Sequence, residues 1–332
     1  MRKMSFLLVL CFVIFALTSC TSPKPVEEGQ SEAEAERQEI VNLVISTGGT
    51  SGSYFPVGGA IANIVTNYAE GLNVTAQTSG GSIENLKLIE KGQSEFCIAQ
   101  NDLAEYAMKG IELFDTKLEK VRGIATIYPE YIQIAVRPDK GINSISDLKG
   151  KKISVGPPGS GSEANSRQFL ALLDVPYESF NPQFLENTDA ANQYKDNAID
   201  GFIITTGLPS PAIMEIATTK GVKILGFSQE EAEKINNEWG FLTPEIIPVD
   251  SYKDQSADII TMAVKSVIFT SSDVSEDTVY KFTKALWENQ PELEQANAKA
   301  KNMKKDNPLD GVTVPAHPGA VKYYNEIGID VK

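Results

Sequence analysis

The chain has 332 residues with 30 Lys plus Arg against 44 Asp plus Glu, a formal net charge of -14. Acidity on this scale excludes a nucleic-acid binder, because phosphate neutralisation needs clustered Lys and Arg. One histidine and three cysteines without a CxxC spacing exclude a His-based metal site, a Ser-His-Asp triad and a disulfide framework.

In chain order, residues 1–19 read as an export signal. Arg2 and Lys3 precede the apolar run Phe6 to Leu17, which is too short to span a bilayer and fits a signal h-region. It ends in Leu17-Thr18-Ser19-Cys20, which resembles a bacterial lipobox, with the Cys20 thiol as lipid acceptor. A lipid-anchored, extracytoplasmic protein needs a tether. The Pro, Glu and Ser rich residues 20–41 bury too little apolar area to fold and serve as that linker.

The remainder alternates strands with helices, which argues for parallel sheets and an α/β fold. Strands are predicted at Asn42 to Ser46, Asn73 to Gln77 and Phe96 to Ala99, with helices at Gly58 to Ala69, Ile83 to Ile89 and Asp102 to Lys109. Ile124 to Tyr128 and Ile132 to Val136 are two apolar runs separated by a crossing. After Pro138 the pattern restarts: a strand at Lys151 to Val155, a helix at Glu163 to Leu173, a strand ending at Thr205, a helix at Pro211 to Thr218 and a strand at Val222 to Leu225. Ile259 to Phe269 reads as a return strand, and Asp277 to Asn289 and Glu292 to Lys304 as terminal helices. This divides the chain into one lobe at 42–128 plus 265–332, a second at 137–258, and hinge segments at 129–136 and 259–264 beside a ligand cleft. Cys97, in an apolar run, reads as a buried small hydrophobe, and His317 as a turn residue.

The same local pattern recurs four times: strand, Gly/Ser/Thr loop, helix. The candidate binding residues are Gly49, Thr50, Gly52, Ser53 and Tyr54 in the first loop, and Ser79, Gly80, Gly81 and Ser82 in the second. Ser160, Gly161 and Ser162 come from the third, Thr206 and Gly207 from the fourth. In open α/β sheets such loops lie at the carboxyl ends of strands, where ligands bind. Glycine lets backbone N–H groups approach a ligand, and the helix start adds partial positive charge. Gln100, Asn101, Asp102, Tyr128 and Glu130 supply further polar groups, with Asp102 or Glu130 able to hold an ammonium. The third loop lacks the phosphate-binding lysine of a P-loop, since Ser162 stands in its place, and Gly48-Gly49 breaks the GxGxxG spacing. No nucleotide and no other cofactor is expected.

These segments, above all Ser46 to Ala62 with Ser79 to Asn85, Gln100-Asn101-Asp102, Tyr128-Pro129-Glu130, Gly156 to Ser162 and Asp200 to Gly207, resemble the TAXI-family solute receptors, the binding components of one class of TRAP transporters. The likeness spans about residues 42–330. It departs from the family at Ser51 and Ser53, where glycine or threonine-like residues are common, and at Cys97. The resemblance implies a two-lobed type II periplasmic-binding-protein fold and a small carboxylate or amino-acid ligand such as glutamate, glutamine or a related dicarboxylate. It also implies delivery to a sodium-driven membrane permease, and no catalysis. Two other classes stay open: a receptor that signals to a membrane partner, and a hydrolase using a loop hydroxyl, which would lack a visible base.

Overall fold

The computed structural model describes residues 40–331. The expected signal segment, linker and Cys20 lipidation site lie outside them, apart from the last linker residues. Among the described residues no helix is long and apolar enough to cross a membrane.

The first unit is β1 (Val41–Ser46), α1 (Tyr54–Tyr68), β2 (Leu72–Gln77), α2 (Ser82–Glu90), β3 (Phe96–Gln100) and α3 (Asn101–Lys109). β1 pairs in parallel with β2 and β3, and β3 is buried along its whole length, as a strand covered on both faces must be. α1 begins at Tyr54, earlier than expected. Pro56 fits its first turn, where a missing N–H costs nothing. The two apolar runs around Tyr-Pro-Glu-Tyr are one strand, β4 (Val121–Val136). Pro129 is accommodated next to a register shift against the return strand, where a missing ladder donor is tolerated.

The second unit is β5 (Lys152–Ser154), α4 (Gly161–Leu172), β6 (Asn181–Gln183), α5 (Asn187–Lys195), β7 (Gly201–Thr206), α6 (Pro211–Thr219), β8 (Lys223–Leu225), α7 (Gln229–Glu238) and β9 (Thr243–Ile247). β6, α5, α7 and β9 were not anticipated. The chain returns in β10 (Ile259–Ser271) and ends in α8 (Glu276–Glu288), α9 (Gln290–Ala296) and α10 (Pro318–Glu326). The expected helix over Glu292 to Lys304 is broken after Ala296: Asn297 takes an extended conformation and its side chain caps the 3-10 turn Ala298–Asn302. His317 is not a free turn residue. Its Nδ1 accepts from the Gly319 amide, 3.1 Å away, and so caps α10.

The strands form one mixed sheet in the order β2-β1-β3-β10-β4-β7-β5-β6, with β8 on β4 and β9 on β10. β4 and β10 pair antiparallel from Val121/Ser271 to Tyr131/Ala263. They are the strands shared by both sides of the sheet, so the residues expected as hinges, 129–136 and 259–264, lie inside continuous strands. Two hydrophobic clusters draw on residues 43–128 and 267–324, with Ala164 of α4 added. Two more draw on residues 132–264. In the first, Phe96 and Phe282 stack at 4.1 Å. Cys97 is buried in the second, and burial pushes its thiol pKa up.

Candidate functional site

The starts of α1, α2, α4 and α5 converge on one cavity of about 500 Å³, counting its mouth. Three of these four helices have no side-chain cap. Ser53, the N-cap of α1, bonds across to the Thr206 hydroxyl at 2.9 Å instead of to its own helix. Gly81, the N-cap of α2, has φ +105°, which glycine tolerates and other residues resist. Glu186 precedes α5 without capping it. Uncapped starts leave backbone N–H groups free to meet a ligand, with the helix dipole favouring an anion.

The cavity is lined by loops from both sides of the sheet, and the two sides touch. The Ile83 amide of α2 donates to the Gly159 carbonyl at 3.1 Å. Gly161 approaches so closely that a Cβ there would lie 2.1 Å from Gln100 Oε1. A Cβ on Gly49 would lie 3.1 Å from Glu186 Oε2, and one on Gly52 3.6 Å from Asn187 Nδ2. The loops of the two sides are therefore in direct contact beside the cavity.

At its inner wall Glu130 is 2 % exposed. Tyr54 donates to Glu130 Oε1 at 2.6 Å and Gln100 Nε2 lies 3.5 Å from Oε2. Burial pushes the Glu130 carboxyl up to about 8, against the pull of those two donors. Ser82 ties the wall together, bonding the Tyr54 hydroxyl at 3.1 Å and accepting from the Gln100 amide at 3.2 Å. Two buried lining atoms, Gln100 Oε1 and Thr205 Oγ1, have no hydrogen-bond partner among the described residues. Buried polar atoms are rarely left unpaired, so these two are places for a ligand group or water. Glu130 and Glu186 line the cavity, and no Lys or Arg among the described residues does. An anionic group here would meet amides and hydroxyls, and a cationic one would meet Glu130. Among the described residues no cluster of His, Cys, Asp and Glu could hold a metal ion.

Of the residues singled out in the sequence, thirteen line the cavity: Gly49, Gly52, Ser53, Tyr54, Gly80, Gly81, Ser82, Gln100, Glu130, Ser160, Gly161, Ser162 and Thr206. Six lie off it. Thr50 is exposed. Ser79 donates to Asn85 Oδ1 at 2.6 Å and folds its own loop. Asn101 binds the Gly311 carbonyl and the Lys265 amide, each at 2.8 Å, and joins α3 to β10. Asp102 is buried against α4. Tyr128 and Gly207 pack together with the Lys299 stem behind the wall. Gly48, Pro157 and Thr205 of the first, third and fourth loops also line the cavity, and Glu186 and Asn187 do so without having been anticipated.

Two lining serines are already engaged. Ser160 caps α4, its hydroxyl accepting from the Glu163 amide at 3.1 Å, and Ser162 accepts from the Thr205 amide at 2.9 Å. Ser160→Ala is expected to cost about 1 kcal/mol of stability as a lost N-cap, whereas Thr50→Ala costs nothing measurable. Urea unfolding of the two variants checks this.

A Bordetella bronchiseptica RB50 protein of solved structure matches with a TM-score of 0.56 at 14% identity, over 86% of this chain and 98% of that one. The alkanesulfonate-binding protein SsuA from Xanthomonas axonopodis pv. citri, solved bound to MOPS, matches at 12% identity with a TM-score of 0.48, over 80% and 81%. A putative L-cystine ABC transporter from Listeria monocytogenes gives 15% identity and a TM-score of 0.49, over 80% and 99%. The fold is α/β with a mixed sheet, and it is the fold of the Bordetella protein. The NMT1-like family model matches residues 45–328. With all but the two ends of the described chain inside that match, this protein belongs to the NMT1-like family.

Proposed function

We propose that this protein is an extracytoplasmic solute receptor that encloses one small molecule between two lobes and hands it to a membrane permease. The observation that carries the reading is the cavity where uncapped helix starts from both sides of the sheet meet around unpaired buried polar atoms. Residues 42–128 with 265–332 form one lobe and residues 137–258 the other. The lobes move apart by bending of β4 and β10 near residues 129–136 and 259–264. Closure removes the solute from water and needs a solute that prefers the closed state.

The solute is a small carboxylate, and an amino acid such as glutamate or glutamine fits best. Its carboxylate meets the amides of the uncapped starts of α1, α2 and α5, and its ammonium meets Glu130, the buried carboxyl in the wall. The TAXI-like segments support a TRAP-type permease as the partner. Cys20 carries the lipid anchor, and residues 20–41 give the reach between membrane and permease. Calorimetric titration with L-glutamate, L-glutamine and succinate tests this. Binding of either amino acid, with succinate weaker by tenfold or more, is expected. Binding of succinate alone would remove the role of Glu130.

A further inference from the structure

Asp102 sits in the first turn of α3, wholly buried, and faces Asn165 of α4, 63 residues along the chain. Asn165 Nδ2 donates to Asp102 Oδ2 at 2.8 Å. The other oxygen of each group, Asp102 Oδ1 and Asn165 Oδ1, is buried with no hydrogen-bond partner among the described residues. Both are acceptors when Asp102 is ionised, and each unpaired buried atom costs about 1–3 kcal/mol. One turn further along α3, Gln168 Nε2 of α4 donates to the Tyr106 hydroxyl at 2.9 Å, and Phe241 packs edge-on against the Tyr106 ring. α3 and α4 thus meet in a buried polar seam separate from the cavity. Asp102, Asn165 and Gln168 are absent from the cavity wall.

We propose that Asp102 and Asn165 form a proton-operated latch, in which a protonated Asp102 donates through Oδ1 to Asn165 Oδ1 and completes a two-bond acid–amide pair that holds the halves closed. The proton comes from solvent and no covalent bond changes. In the ionised form the second bond to Asn165 is missing and a buried charge has only amide donors beside it, so the halves separate more easily. Burial pushes the Asp102 carboxyl up to about 6 in the closed form, the Asn165 amide pulling the other way. The groups that act on it fit this account. Glu105 on the same helix raises it further, the backbone amides of Asp102 and Leu103 lower it, and an ionised Asp102 helps keep Glu130 of β4 protonated. Tyr106 stays neutral, with its own pKa pushed up by burial. On α4, Arg167 pairs with Glu112 and Glu163 rather than with Asp102.

The sign follows. A carboxyl held near 6 when closed, and near 4 when exposed to water in the open form, favours closing at low pH and loses that effect as pH rises through 6. The latch rests on the two-lobed reading above, so the test separates them. Distances between probes on Glu70, in the turn after α1, and Glu233 of α7 are measured at pH 5 and 7.5, with and without L-glutamate. In the wild type the closed-to-open ratio without solute is expected to be about tenfold higher at pH 5. Asp102→Asn is expected to remove that change. Asp102→Ser, which also takes away the titrating group, should do the same and covers the case in which the first variant fails to fold. If both variants respond to pH as the wild type does, the latch is overturned while closure stands. If the distance changes with neither pH nor L-glutamate, closure falls and the latch with it.

Discussion

Gly161→Ala is expected to weaken solute binding at least tenfold while leaving the thermal midpoint unchanged or higher. Gly161 is the first residue of α4 and its φ is not positive, so alanine fits the backbone and gains helix propensity of up to about 1 kcal/mol. The obstacle lies across the cleft. The new methyl would stand 2.1–2.4 Å from the Gln100 amide atoms of a residue that is 1 % exposed. Gln100 would have to leave Glu130 or the halves would have to stay apart. Either outcome spoils the closed site and leaves the open molecule intact. Calorimetry together with a melting curve separates this from misfolding: a variant that melts lower would place Gly161 in the fold rather than in closure.

Glu130→Gln is expected to stabilise the ligand-free protein at pH 8 and to weaken binding of an amine-bearing solute at least tenfold. The native carboxyl holds its proton up to about 8 because it is buried, whereas in the unfolded chain it releases it near 4.3. Between those values the native state binds the extra proton, so stability falls as pH rises, by about 1.4 kcal/mol per unit for a fully coupled group. Glutamine removes that dependence and keeps a group that Tyr54 can bond. At pH 5 the two proteins should melt together, and at pH 8 the variant should melt higher. Binding runs the other way. An ammonium draws the proton off Glu130, so wild-type affinity for L-glutamate should climb with pH toward 8, and the variant should lose both the slope and the affinity. A variant that melts lower at pH 8 would contradict this assignment.

The sequence made the cavity wall legible because its residues are local. Gly80-Gly81-Ser82 and Ser160-Gly161-Ser162 each sit at a strand-to-helix turn, and the turn by itself puts them at one edge of the sheet. Glu130 was found through its place between two apolar runs, although these proved to be one bulged strand. What escaped notice depends on contacts distant in sequence. Glu186-Asn187 opens α5, whose buried face is only Ala190, Ala191 and Tyr194, too thin a stripe to stand out from a polar segment. Asn101 and Ser79 carry the same donors and acceptors as true lining residues, but backbone groups and the Asn85 side chain claim them first. Spacing along the chain cannot show which partner wins. Asp102 was read as a cation holder for the cleft, and its partner is an amide on the opposite side of the seam.

Native mass spectrometry of the protein as purified, and again after incubation with L-glutamate, measures the central point: whether the closed cavity holds a single guest. The account requires ions heavier than the bare chain by one small-molecule mass, and bare ions only for Gly161→Ala. Wild-type ions that stay bare under both conditions, or that carry the same mass in Gly161→Ala, would contradict it.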